Sequence, residues 1–534
     1  MTELYRKDHR QIIKRIIVRG TLMLDTPTCL GQGDADSPTD LPLLRDSLDE
    51  NYALLTGSSI AGALRNYLRE HCQGYGESDK RNDTATKLFG DLFVYKDEKD
   101  KNEAEKIKLR EQDSQSSLII DDAVSTHPIK AELRDGVKIK SDTRTAEDGA
   151  KYDLELLQAG TEFPLCFELL LENKEEDRTK QKDYENQLLQ ALAIALQGLE
   201  AKKDPNVSEC EKDVKSGEIS LGMKKRRGFG RCHVETWQVW QFDLTQNDQQ
   251  LKWLNFEHWH TGLLPNYQNC PSIKEGFEKA GIPLDINVKD ERDRFLMHAT
   301  FQLVGSLLIR SGQDSTGRAP DVVHLKSHRP NESESQSILS GTSLAGVLRH
   351  RAERIVKTLG SCSPIVDKIF GFVAGKQSQA SRLVVHEKVI KDATDLVQNR
   401  IAIDRFTGGA YHGALFDEQP IFGGDGTIVT IELELRNPKD YEIGLLLLLL
   451  KDLWTSDLPV GGESSIGRGR LKGINADLIW NHPQNQKQWQ IRQSNGNLQI
   501  EDRSDSSNSE TLTSVKDDLE KFVKALLKEL GKEV

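Results

Sequence analysis

The chain lacks any apolar run long enough to cross a bilayer. Its longest aliphatic stretch, Leu445 to Leu450, is closed by Lys451 and falls far short of the ~20 residues that span a membrane. The opening residues Met1-Thr2-Glu3-Leu4-Tyr5-Arg6 carry no signal-peptide core. Seven cysteines without a C-x-x-C pair exclude a disulfide scaffold and a zinc ribbon, and predict a reducing cytoplasmic setting. The close histidine pairs, His258 with His260 and His324 with His328, have no cysteine pair at zinc-finger spacing, so no structural zinc is expected. The absence of G-x-x-x-x-G-K-[ST] excludes a nucleotide-binding P-loop. Positive charge is also short: 72 Lys and Arg stand against 84 Asp and Glu, a net charge of −12. Taken alone, that balance opposes nucleic-acid binding. The acid, however, gathers in insertion-like stretches, Asp97 to Asp113 and Glu172 to Glu185. The base includes the compact run Lys224-Lys225-Arg226-Arg227 with Arg231 beyond it. Such a run is either a solvated loop or part of a phosphate-binding groove.

What the chain does have, it has twice. Gly57-Ser58-Ser59-Ile60-Ala61-Gly62-Ala63-Leu64-Arg65 recurs as Gly341-Thr342-Ser343-Leu344-Ala345-Gly346-Val347-Leu348-Arg349. Lys87-Leu88-Phe89-Gly90 recurs as Lys368-Ile369-Phe370-Gly371. Arg227-Gly228-Phe229-Gly230-Arg231 recurs loosely as Ile466-Gly467-Arg468-Gly469-Arg470. Three signals in one order read as two copies of a domain, which also suits 534 residues.

Each copy opens with a β-rich alternating stretch, Arg15 to Leu24 and Phe295 to Ile309. A polar loop follows, then Ser or Thr ahead of helical apolar spacing (Ile60, Ala63, Leu64, Tyr67, Leu68 and Leu344, Val347, Leu348, Ile355). Second helices are expected over Leu188 to Leu199 and Glu442 to Leu453, each followed by a glycine-arginine loop and a strand. Strand, helix, strands, helix, strand is the ferredoxin-like (RRM-like) order. The expected class is therefore α/β (α+β). It comprises a first domain at 1–245, a linker at 246–291, a second domain at 292–480, and a tail with an amphipathic helix at 481–534. Glu501 to Glu510, rich in Ser and Asp, reads as lacking fixed structure. The helix beyond it, with Val515, Leu519, Phe522, Val523, Leu526, Leu527 and Leu530 on one side, is expected to pack on its own body.

The repeated motifs suit anions. A helix starting Gly57-Ser58-Ser59 or Gly341-Thr342-Ser343 offers free N–H groups and hydroxyls to a phosphate, with Arg65 or Arg349 two turns on. The glycine-arginine loops, holding Lys225, Arg226, Arg227 and Arg231 in one copy and Arg468 and Arg470 in the other, place cations beside exposed amides. Capping and an ordinary turn explain either motif when it stands alone.

The ordered combination resembles the RAMP superfamily of CRISPR-associated proteins. Within it, the chain is similar to the backbone subunits of type III effector complexes, which coat a guide RNA. Two such domains in one chain resemble the fused double-backbone subunit of type III-D systems. Thr39-Asp40-Leu41-Pro42-Leu43-Leu44-Arg45-Asp46 resembles the segment that holds the family's catalytic aspartate. The resemblance implies a guide-RNA-binding subunit working with other effector subunits and away from membranes. It also implies that Asp40 supports cleavage of complementary target RNA with a divalent metal, Mg²⁺ or Mn²⁺. In the second copy the match is Asp321, equally far from its Lys-Ile-Phe-Gly element, although Val322-Val323-His324 replaces Leu-Pro-Leu there. A lone carboxylate suits Mg²⁺, which keeps most of its waters and takes substrate phosphate. Asp34, Asp36 and Asp314 are nearby rivals, and any loop aspartate can be a cap. The family's hairpin, the thumb that unstacks a nucleotide, corresponds to the region of Asp404-Arg405-Phe406 and, more loosely, to Asp142-Thr143-Arg144. Arg405 and Phe406 then contact or stack on RNA, unless Phe406 is buried in the hairpin base. Two other readings stay open: a scaffold without a working site, and a guide-processing ribonuclease. The latter needs a histidine near the first strand, where none occurs between His9 and His71.

Overall fold

The computed structural model describes residues 10–31, 41–201, 216–311, 320–504 and 512–532, apart from positions 94, 99, 112, 141, 176, 287, 361, 362 and 495. Asp40, Asp34, Asp36 and Asp314 lie outside the described residues, as does 505–511 of the Ser- and Asp-rich stretch.

The first domain runs β1 (Ile12–Leu24), α1 (Gly57–Gln73), α2 (Thr84–Phe89), β2 (Leu118–Ile120), the hairpin β3 (Ala131–Ile139) and β4 (Ala146–Leu157), β5 (Glu162–Glu172), α3 (Arg178–Gln197) and β6 (Cys232–Asp243). The sheet order is β2-β5-β1-β6. The central pairing sets Val18 against Phe167 on one side and Val239 on the other, antiparallel throughout. This is the ferredoxin-like arrangement. Ile60, Leu64 and Leu68 recur at helical spacing on α1 and seal the sheet with Leu188, Leu192 and Leu196 of α3. Each such side chain withdrawn from water contributes roughly 1.5–3 kcal/mol.

The linker carries α4 (Asn247–Leu254) and α5 (Ile273–Lys279). The second domain then repeats the plan: β7 (Arg294–Val304), β8 (Val322–Val323), α6 (Gly341–Thr358), α7 (Ile365–Phe370), β9 (Leu383–Val385), β10 (Lys388–Lys391), the hairpin β11 (Gln398–Ile403) and β12 (Ala410–Gln419), β13 (Ile428–Arg436), α8 (Asp440–Trp454) and β14 (Arg470–His482). β7 lies between β13 and β14. The sheet continues through β15 (Asn485–Ser494) and β16 (Asn497–Asp502). Strand pairing therefore claims the start of the stretch read from sequence as unstructured. The final helix α9 (Leu512–Glu529) lays Val515, Leu519, Phe522 and Leu526 into the second core against α8. Gly444 of α8 lets the two helices touch, since a Cβ there would stand 2.2 Å from the Phe522 carbonyl oxygen.

The two domains meet through buried polar groups. Arg231 reaches Glu432 at 3.3 Å, and Arg436 reaches Glu70 at 3.7 Å. Tyr75 donates to Glu434 at 3.0 Å. Glu387, with no exposed side chain, holds Arg134 of the first domain at 3.1 Å and Arg329 at 2.7 Å. Cationic neighbours hold the Glu387, Glu432 and Glu434 carboxyls below the ordinary range against the opposing effect of burial. Burial pushes His386, beside Glu432, down to about 4. The signs agree. The carboxylates contribute stability above the ordinary carboxylate range and lose it as pH falls through their lowered values. His386 is neutral when folded, so only the unfolded chain takes its proton as pH falls from about 6.5 toward about 4. From these groups the melting temperature is expected to fall on acidification from about pH 6.5 toward pH 4. A pH series of calorimetric melts checks this, and a melting temperature that rises on acidification would contradict it.

Candidate nucleic-acid interface

The repeated motifs serve one another. Arg65 donates to the carbonyl of Gly90 at 2.9 Å and pairs with Asp79 at 2.9 Å. Arg349 donates to the carbonyl of Gly371 at 2.7 Å and pairs with Asp367 at 2.5 Å. In both copies the arginine that ends the helix motif ties down the glycine that ends the Lys-[LI]-Phe-Gly motif. This explains why the two motifs travel together, and it commits both guanidiniums within the protein.

The helix starts differ in occupancy. In α1, Thr56 caps Ser59 and the Asp122 carboxylate takes the Gly57 N–H at 2.6 Å, while Ser58 and Ser59 are exposed. In α6, Gly341 is packed against the first domain: a Cβ would lie 2.4 Å from the Arg227 carbonyl oxygen. Thr342 and Ser343 are half-buried. The glycine-arginine loops are equivalent. Each begins at a left-handed residue, Lys224 (φ 53°) or Glu463 (φ 57°), makes a short 3-10 turn, and ends at Gly228 (φ 87°) or Gly467 (φ 89°). Only glycine adopts that last conformation without strain. Phe229 is buried with Leu154 of the hairpin base. The matching Arg468 is buried too, paired with Glu418 at 2.9 Å and Glu463 at 2.7 Å. Arg470 is exposed.

A line of cations follows the seam between domains. Burial first, then the charge of Arg436, lowers the affinity of Lys225 and Arg226 for their protons. Arg227 is lowered by burial, Arg226 and Arg349. Arg354 on α6 is lowered by burial and by Arg144 at the tip of the first hairpin. Carboxylates stand near them, Glu70 by Lys225 and Arg226, and Glu353 and Asp367 by Arg349, but burial and like charge outweigh the Glu70 effect on Lys225 and Arg226, so an anion on this line would be favoured. Lys224 adds a cation–π contact, its ammonium 3.6 Å from the Tyr152 ring. The basic run was legible in sequence. Arg354 and Arg436 were not, because nothing local shows which arginines of a helix or a strand face a seam; the density of Arg349, Arg351 and Arg354 was the available hint for the helix.

At the tip of the second hairpin, Asp404 accepts from the amides of Phe406 (2.8 Å) and Thr407 (2.9 Å). These bonds hold its carboxyl below the usual range. The turn presents Arg405 to solvent, and Phe406 is 100% exposed. Of the two readings of Phe406, the buried one is set aside.

The aspartate segments enter alike. Leu41 pairs in parallel with Leu154, and Val322 pairs in parallel with Glu418, each at the base of its hairpin. Asp321 is exposed, with Oδ2 accepting the Asp417 amide at 3.0 Å. Among the described residues no group of three or more His, Cys, Asp or Glu is placed to hold a metal. Asp321 is thus a single hard oxygen donor. Such a donor suits a Mg²⁺-type ion, and the described residues around it form no cage for a resident one. His324, next along, is buried and pushed down to about 4, receives the Ile309 amide and faces the Ile338 carbonyl, so its role is structural. His412 is exposed. Sequence reading missed His233, which is buried with its Nδ1 2.7 Å from Asp25 and so is closed to a substrate.

The RAMP superfamily model matches residues 21–233 and 300–472. No curated protein matches the chain. The two matched regions cover well over half the chain and coincide with the two ferredoxin-like units. The protein belongs to the RAMP superfamily. That membership indicates a CRISPR-associated, RNA-binding role in a larger assembly. No described helix is long and apolar enough to cross a membrane.

Proposed function

We propose that the protein is a guide-RNA-binding backbone subunit of a type III CRISPR effector, of the fused double-domain kind, and that it positions and cuts complementary RNA. The observation that carries the reading is the cationic seam running from Lys225 and Arg226 to Arg354 and Arg144, on a protein whose net charge is −12. Phosphate contacts along such a line fix register without reading bases. The hairpin tip supplies a bare aromatic ring on which a base can stack.

Asp40 and Asp321 precede equivalent strands at the hairpin bases. There each carboxylate would meet the linkage next to a displaced nucleotide, and either would hold a divalent ion. Such an ion, when bound, neutralises charge that develops at the cleaved phosphate. The protein's own part is alignment, setting the 2′-hydroxyl in line with the phosphorus. The Asp417 amide anchors one oxygen of Asp321, which leaves the other for the ion or substrate. The scaffold reading draws on that same amide bond, because a turn residue would make it too.

Lys225→Ala, Arg226→Ala and Arg354→Ala together test the binding claim. Affinity for single-stranded RNA should fall alike for unrelated sequences, and each lost phosphate contact should flatten the log–log salt slope by about 0.7. A sequence-selective loss at unchanged slope would oppose the reading. Phe406→Ala should cost about 1–3 kcal/mol of duplex or strand affinity through lost stacking. Binding isotherms of the assembled complex measure it, and unchanged affinity would remove the stacking role.

A further inference from the structure

The joint inside the chain is a docking mode, and its two halves can be looked for again at the chain's free ends. Register fixes the equivalences. Arg231 corresponds to Arg470, so Leu24 corresponds to Leu303 through their partners Cys232 and Leu471. Val18 then matches Met297, and Phe167 matches Leu433. It follows that Glu432, which receives Arg231, is replaced in the first domain by Cys166, and Arg436, which receives Glu70, by Leu170. On the outgoing side Arg470 is kept, but Glu70 becomes Arg354, and Arg134, set opposite Leu154, becomes Gln398, set opposite Glu418. Joining the second domain of one copy to the first of another would place Arg470 on Cys166 and Arg354 on Leu170. Neither ion pair survives.

The receiving position is also covered. Cys166 and Ile17 are buried with Trp240 and Phe242, and Trp253, Phe256 and Leu264 of the linker pack over them. Arg19, fully buried, lies 5.3 Å from the Trp240 ring and 4.9 Å from that of Phe256, and donates to the Glu257 carbonyl at 2.8 Å. On the second domain that place is taken by Arg231 of the first. At the opposite end Glu463 of the loop Glu463–Gly467 is tied to Arg468 and Arg400 of its own domain, while the rest of the loop is open among the described residues. Ile466 is 53% exposed, no atom lies within 4 Å of a Cβ built on Gly467, and Leu396 and Val397 stand exposed beside the hairpin.

We infer that the linker segment 244–267 is a lid that closes the first domain's sheet to this docking mode, so that a second copy cannot add there. In this docking mode the chain takes a neighbour through its second domain alone. That neighbour is a different protein, whose receiving strand offers a carboxylate to Arg470 as Glu432 does to Arg231, and an apolar surface to Ile466, Leu396 and Val397. Terminal units of stacked arrays are closed in the same manner. The inference rests on the tandem joint and not on RNA binding, so failure of one leaves the other standing.

Two measurements on the full wild-type chain test it. Sedimentation velocity from about 1 to 100 µM, with zero-length cross-linking, should give the 60.1 kDa monomer. A dimer cross-linked away from the first domain's sheet agrees equally. A ladder whose cross-links join Lys472 of one copy to Asp121, Asp122 or Glu168 of another overturns the inference. Thiol labelling mapped by mass spectrometry should leave Cys166 at least ~10-fold slower than in the urea-unfolded chain. Labelling at the unfolded rate would show that the lid does not cover it.

Discussion

Asp40→Ala is expected to abolish one cut in a complementary RNA while guide and target binding stay intact. Asp321→Ala is expected to remove a second cut, displaced along the target. The two aspartates belong to separate domains, and the residues that follow them, Leu41 and Val322, each pair in parallel with the base of their own hairpin, so their effects should be independent. Each loss should be ~10²-fold or more, the scale of removing one group that stabilises developing charge. Product mapping on assembled complex, with and without chelator, reads both. A cut that persists at full rate in Asp40→Ala transfers the role to Asp34 or Asp36. A wild-type protein that makes only the Asp40-dependent cut makes the second domain a binding domain.

Glu387→Ala should be the most destabilising single change at the joint. The side chain is fully buried between Arg134 and Arg329, so its removal takes the counter-charge from Arg329 and leaves two guanidiniums to share the one buried carboxylate of Glu132, 3.2 Å from Arg134. Breaking a buried pair in this way costs about 3–5 kcal/mol. Replacing the whole group, as in Glu387→Met with Arg134→Met, Arg329→Leu and Glu132→Gln, should cost less, since no charge is left unpaired. Urea unfolding of the three forms distinguishes them. Equal losses for the single and the quadruple variant would mean that volume matters at this site and charge does not.

The fold was legible because its determinants are local and repeated. Alternation in β1 and β7, the 3.6-residue spacing of Ile60 and Leu64, and the capping residues ahead of α1 all act within a few residues. Two copies of each signal removed ambiguity that one would have left. The site was legible in part. Phe406 and Arg405 stand in a turn whose Asp-x-x-x-Gly chemistry is written in the sequence. The roles of Arg65 and Arg349 were not, because a motif arginine can face a ligand or a carbonyl of its own domain, and only packing shows Gly90 and Gly371 beneath them. The same holds for Arg468. Its equivalence to Phe229 is visible in the alignment of the loops, but the compensating change of Leu154 to Glu418 lies far away in sequence. The joint was the least legible element, since its pairs join residues more than a hundred positions apart.

Photo-cross-linking of RNA to the protein, mapped by mass spectrometry, tests the central claim most directly. Cross-links are predicted in Lys224–Arg231, in Arg349–Arg354, near Arg144 and at Asp404–Gly408, the line of the cationic seam and the hairpin tip. Cross-links confined to the linker lid and α9, with none along the seam, would contradict the account.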